Sequence, residues 1–212
     1  RILDGIFEKV DYQGNSSVLI HMNRETDNYS PHWHTAVEII MPIHNIYTIV
    51  IGKTTYLLNE GDILVIPPGE LHELKAPKDG LRCILLFDYS IVSNLKGLTN
   101  IFTVLNQPRL ITKQKDCETH TKLKQMYDQI KEEYFGSNTL KEAAIFSEII
   151  KIFVVLGRKY MNTESIFPDV KINKQKEYIE KFNLIFDYID DNYMDEISLD
   201  AIANVAGFSK FH

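Results

Sequence analysis

The 212-residue sequence predicts an α+β protein in which an antiparallel β-barrel or sandwich precedes a run of helices. Three observations carry this expectation. Up to about residue 112, short β-branched and aromatic runs such as "SVLIHM", "AVEIIMPI", "IYTIVI", "DILVIP" and "RCILLFDY" alternate with turn signals such as "QGN", "IGK", "NEGD" and "PPGE". No helical pattern interrupts these runs, and strands so closely spaced favour antiparallel pairing over the crossovers a parallel sheet needs. After about residue 116 the apolar residues change to helical spacing.

Composition sets outer limits. A hydrophobic content of 44% and a charged content of 25% are ordinary for a globular chain long enough to bury its own core. No apolar run approaches the roughly eighteen residues of a transmembrane helix, and the opening "RILDGIFEKVDYQGN" lacks the apolar stretch of a cleavable signal. Cys83 and Cys117 lie far apart and outside any CxxC pattern, which predicts reduced thiols and a cytoplasmic location with no membrane partner. A net charge of −6 argues against nucleic acid binding over the whole surface, but it leaves room for a small DNA-contacting element.

The helical elements follow in order. In "ETHTKLKQMYDQIKEEYF", Leu123, Met126, Tyr127, Ile130 and Tyr134 share one face, and Gly136 ends the pattern. Thr139 and Glu142 have capping-box spacing and open a second helix, about 139 to 160. Its run "IIKIFVVL" is apolar around most of the circumference, which predicts burial on two sides, against its own domain and a partner subunit in a homodimer. "NTESIFPDVKIN" loses periodicity and reads as a linker. A third helix follows, with Tyr178, Phe182, Ile185, Phe186 and Ile189 on one face. The expected organisation is a barrel at 1–115, a helical dimerisation segment at 116–161, a linker at 162–173 and a last helical unit at 174–212.

Two stretches of the barrel carry chemistry. "PHWHTAVEII" places His32, His34 and Glu38 at equal parity, so on a strand they share a face while Trp33 points away. Two imidazoles and a carboxylate so placed can converge on one ion. "GDILVIPPGELH" then offers Gly61 and Gly69 for turns, prolines to fix a loop, and His72 at its end. Together these stretches resemble the two motifs of the cupin superfamily, HxHxxxE and GxxxxxPxGxxH, over roughly residues 30 to 75. One position departs: Ala76 stands where an asparagine often closes the second motif. The resemblance implies a small barrel whose mouth is lined by His32, His34, Glu38 and His72, four positions that hold a divalent transition metal in metal-binding cupins. Zn, Ni, Fe and Mn all suit such nitrogen and oxygen donors. Cupin-like barrels of regulatory proteins often keep these histidines without metal chemistry, so a metal site and a small-ligand pocket both stand. The enzymatic alternative is a metal-dependent dioxygenase or isomerase. Arg82 and Tyr56 are its only candidate substrate clamps, no general base is evident, and no catalytic residue is assigned.

The C-terminal "DEISLDAIANVAGFSKFH" reads as a helix-turn-helix. Ser198 caps a helix, Ala203 lies where the two helices touch, Gly207 makes the turn, and Ser209 caps a recognition helix that Lys210, Phe211 and His212 begin. The longer stretch "IFDYIDDNYMDEISLDAIANVAGFSKFH" resembles the first helix-turn-helix of the AraC/XylS family of bacterial transcription regulators. Tyr188, Ile189, Asn192, Tyr193, Ser198, Leu199, Ala203, Gly207, Phe208, Ser209 and Phe211 match. That family commonly joins a cupin-like sensor, a dimerising helical pair and a DNA-binding domain with two such motifs. The resemblance therefore implies a regulator, not an enzyme, that binds a small effector such as a sugar in the barrel and promoter DNA through the complete C-terminal domain. Here the reader is incomplete: the sequence reaches only the start of the first recognition helix. Residues 171 to 212 hold five lysines against eight acidic residues, so this region alone is expected to bind an operator poorly.

Overall fold

The strands Ala36–His44, Ile63–Ile66 and Leu81–Asp88 are buried on both faces, and this double burial explains their nearly continuous apolar sequences. The computed structural model describes residues 2–12, 16–24, 26–98, 101, 104–160, 181, 184–185, 188–189 and 192–208. Eleven strands occur among them: β1 Ile2–Asp4, β2 Phe7–Lys9, β3 Val18–Asn23, β4 Tyr29–His32, β5 Ala36–His44, β6 Tyr47–Ile51, β7 Thr54–Leu58, β8 Ile63–Ile66, β9 His72–Lys75, β10 Leu81–Asp88 and β11 Arg109–Ile111. Beyond the small β1–β2 hairpin they form two antiparallel sheets, β11-β8-β5-β10-β3 and β4-β9-β6-β7. Helices lying wholly among the described residues include α1 Ser90–Ser93, α2 Cys117–Phe135, α3 Lys141–Tyr160 and α4 Leu199–Val205, with a 3-10 turn at Lys96–Leu98. None is long and apolar enough to cross a membrane.

Strand parity sorts the side chains of the five-stranded sheet between two cores. Ile40, Leu64, Ile66, Ile84 and Leu86 face the barrel interior, where they meet Tyr47, Ile49, Ile51, Leu58 and Leu74 of the other sheet. Val37, Ile39, Met41, Ile63, Val65, Cys83, Leu85 and Phe87 point the other way and pack against α2 and α3. β6 belongs to the four-stranded sheet, and its alternating burial shows one covered face.

The helical pair closes the second core. From α2 come Leu123, Tyr127 and Ile130, and from α3 come Ile145, Ile149, Ile152, Phe153 and Leu156. Phe153 meets Phe87 edge to face at 5.9 Å. The sheet thus covers one side of the apolar α3 circumference, while Ile150 and Val154, one turn apart, stay partly exposed. Asp116 caps α2 by accepting from the Thr119 N–H at 3.0 Å. The start of α3 departs from expectation. Leu140 takes φ 61° and accepts the first helical bond from Ala144, so the helix opens at Lys141, and Thr139 lies in the preceding turn.

The chain divides into two compact units, residues 1–162 and 163–212. In the second, Ser198 caps α4 by accepting from the Ala201 N–H at 3.1 Å. The helix ends in a Schellman turn. Gly207 takes φ +64°, its N–H bonds to Asn204 O, and the Phe208 N–H bonds to Ala203 O at 2.8 Å. Side chains other than glycine rarely adopt that conformation. Of the predicted third-helix face, Tyr178, Phe182 and Phe186 lie outside the described residues, as do the linker at 162–173 and the DNA-contact candidates Ser209, Lys210, Phe211 and His212.

Candidate functional site: a histidine and carboxylate pocket in the barrel

His32, His34, Glu38 and His72 come together, all nearly fully buried. They do so by a different route from the one strand parity suggests. His32 ends β4 in one sheet, Glu38 lies on β5 in the other, and the chain crosses between the sheets through Trp33, His34 and Thr35. His72 opens β9 directly opposite His32 in the β4–β9 register, with ring centroids 4.2 Å apart. The second motif's loop is tied to the first by the Gly69 N–H, which donates to His34 O at 2.8 Å.

The hydrogen bonds at the outer ring nitrogens define what faces inward. His32 Nδ1 lies 2.8 Å from Ser30 O, His34 Nδ1 lies 3.1 Å from Ala36 O, and His72 Nδ1 lies 2.8 Å from Glu70 O. A carbonyl oxygen only accepts, so each Nδ1 carries the hydrogen and donates. In a neutral ring the lone pair is then on Nε2. The three imidazoles offer donor atoms within 4.8 Å of one another. Glu38 Oε2 sits among them, 2.9 Å from His34 Nε2 and 3.1 Å from His72 Nε2. The His72 contact is close but poorly aligned, and this buried nitrogen has no hydrogen-bond partner.

Such a cluster needs positive charge between its acceptors. A lone pair facing a carboxylate oxygen is repulsive unless a proton or a cation lies between them. Burial by itself would raise the Glu38 carboxyl, but the charge of His72 beside it and the hydrogen bond from His34 outweigh burial and hold Glu38 well below the usual carboxylate range. The same pairing acts on His72: burial disfavours its charged form, yet the Glu38 carboxylate prevails and raises it above the ordinary histidine value. The donor set fits a divalent transition metal. It is buried, its tautomers are fixed by backbone carbonyls, it includes an anion, and it leaves one buried nitrogen without a partner.

A cavity of about 150 Å³ adjoins the cluster. Besides His32, His34 and Glu38, its lining comprises the polar Glu8, His21, Asn23 and Tyr29 and the aliphatic Ile84 and Leu86, none of which falls in a recognisable motif. Its volume is below the roughly 300 Å³ at which drug-sized ligand pockets begin, so it suits an ion with water or a very small polar molecule. Arg82 does not line it. The side chain is fully buried within the barrel, its guanidinium 4.7 Å from the Tyr29 ring centre and 5.1 Å from that of Tyr47. Tyr56, on β7, is half-buried and is likewise absent from the lining.

Fold and pocket define a cupin-like ligand-binding barrel backed by a helical pair. The chain belongs to the family of AraC-like ligand binding domains, which matches residues 15–149 and so includes the whole histidine cluster. Among solved structures, an apo ToxT variant from Vibrio cholerae is 12% identical, with a TM-score of 0.49 over 94% of this chain and 73% of that one. The AraC-like transcriptional activator CuxR is 12% identical, with a TM-score of 0.46 over 84% of this chain and 58% of its own. A conserved protein from Streptococcus pyogenes is 18% identical, with a TM-score of 0.30 over 34% of this chain and 62% of its own. The chain thus spans less than two thirds of the last two. No curated protein sequence matches significantly.

Proposed function

We propose that these residues are the sensing and dimerisation region of an AraC-type transcription regulator, and that the signal enters at His32, His34, Glu38 and His72. The observation that carries this reading is the buried four-residue cluster lying inside the AraC-like ligand binding domain match. It is joined by the glycine turn after α4, the feature a helix-turn-helix needs between its helices. The cluster would hold a divalent transition cation, Zn, Ni, Fe or Mn, through the three Nε2 atoms and the Glu38 carboxylate. Such a cation supplies a fixed positive charge that attracts oxygen donors of a small effector. The cavity volume favours the cation or a compact polar molecule over a full-sized sugar. Ligand state then shifts the balance between two arrangements of the DNA-binding domains.

The region acts as a cytoplasmic homodimer through the exposed face of α3 around Ile150 and Val154. Phe153 is no part of that face, because it is fully buried under the sheet. Ile150→Glu should therefore give a folded monomer by light scattering, whereas Phe153→Glu should unfold the protein. A dimer indifferent to Ile150→Glu would place the interface elsewhere.

The regulator reading is tested by gel shift with promoter DNA, using protein that carries a complete two-motif reader. Specific binding that changes with ligand, weakens with salt and is lost in Gly207→Val is the expected result. Protein that ignores its promoter under every ligand condition would defeat the reading.

A further inference from the structure

The β1–β2 hairpin precedes the family match at residue 15 and both histidine motifs, yet it walls the metal-competent pocket. Its attachment is specific. The Trp33 N–H donates to Ile6 O at 2.9 Å, and the Glu8 N–H donates to Trp33 O at 2.8 Å. Between these bonds the Phe7 ring packs on the Trp33 indole with centroids 4.7 Å apart. Trp33 sits between His32 and His34, so the hairpin is clasped to the segment that carries two of the imidazoles.

This clasp delivers a second carboxylate. Glu8 Oε2 lies 3.4 Å from His32 Nε2, and the Glu8 side chain is only 13% exposed. With neutral imidazoles as donors to a cation, Glu38 supplies a single negative charge. Adding Glu8 makes two, which balances a divalent cation in a site shielded from water.

We propose that Glu8 is a further donor to the cation held by His32, His34, Glu38 and His72, so that cation binding and docking of the N-terminal hairpin are one coupled event. The proposal rests on the cation reading above. Coupling is reciprocal: whatever free energy the cation adds to hairpin docking, the docked hairpin adds to cation affinity. Phe7 and Trp33 hold the hairpin in place without being donors, so they should influence affinity through position alone.

The test measures Zn2+ affinity by competition with a chromophoric chelator, together with amide exchange in the hairpin with and without Zn2+. Wild type should bind Zn2+, and Zn2+ should slow exchange at Glu8 and Lys9. Glu8→Gln should weaken Zn2+ binding about tenfold or more and abolish the slowing. Phe7→Ala, which keeps all five donor side chains, should weaken binding by a smaller factor and speed hairpin exchange. Equal Zn2+ affinity in wild type and Glu8→Gln would overturn the proposal while leaving the four-residue site standing. So would a hairpin whose exchange ignores bound Zn2+. Wild type that fails to bind Zn2+ would overturn both the cation reading and the role of Glu8.

Discussion

The Tyr127 hydroxyl, on α2, reaches the carbonyl of Ile39 at 3.2 Å, one residue along β5 from Glu38. It also lies 3.0 Å from the Cys83 carbonyl on β10, and burial raises its pKa well above the ordinary tyrosine value. The helical pair is therefore hydrogen-bonded to the backbone of the strand that carries the pocket carboxylate. Tyr127→Phe keeps the ring and removes the bond, and should cost about 1 kcal/mol in urea unfolding with an unchanged m-value. No measurable loss would mean that apolar packing alone seats the helix.

Gly80 owes its identity to a neighbour. A Cβ there would lie 2.4 Å from Tyr47 Oη and 2.7 Å from Pro77 Cγ. Tyr47 is fully buried and its hydroxyl has no hydrogen-bond partner. Gly80→Ala should therefore destabilise by about 1–3 kcal/mol through overpacking. Tyr47→Phe should be close to neutral alone and should restore part of the loss in the double variant. Additive losses in that cycle would locate the clash at Pro77 instead.

Asp116 joins the start of α2 to the end of α3 by capping Thr119 and pairing with Lys159. The Lys159 hydrogen bond, then those from Thr119, hold its carboxyl well below the usual range. A depressed carboxylate stabilises the fold fully above its unfolded pKa near 3.9, and that stability is lost as pH falls through the folded value. Asp116→Asn keeps the cap and removes the charge. Because the pair is partly exposed, the loss should be at most about 1 kcal/mol at pH 7 and should shrink below about pH 4. Asp116→Ala should cost about 1 kcal/mol more through the lost cap. A wild-type advantage over Asp116→Asn that persists undiminished into acid would contradict this assignment.

Much of this architecture is legible from local sequence. The two-residue alternation of β6 and the helical spacing of Leu123, Tyr127 and Ile130 reflect which faces are covered, and that pattern is written along the chain. His32, His34, Glu38 and His72 are legible as a set because their motif spacing is short-range. Their route to one point is not: the crossing at Trp33 to Thr35 between two sheets is a tertiary fact. Glu8 and Tyr29 escape for the same reason, since backbone bonds to the distant Trp33 place the first and pairing with β9 places the second. Arg82 reads in sequence as a candidate clamp, a surface residue or a strand-packing residue, and only the closed barrel shows it buried against the Tyr29 and Tyr47 rings. The all-round apolar character of α3 predicts two covered sides, but sequence does not say that the sheet is one of them.

Cation binding at the histidine cluster is tested by an anomalous difference map, collected at the zinc edge from crystals grown with Zn2+. A peak is expected among the three Nε2 atoms and the Glu38 carboxylate, lost in the His34→Ala and His72→Ala double variant. A pocket without an anomalous peak in protein that has bound zinc elsewhere, or a peak unmoved by that double variant, would contradict it.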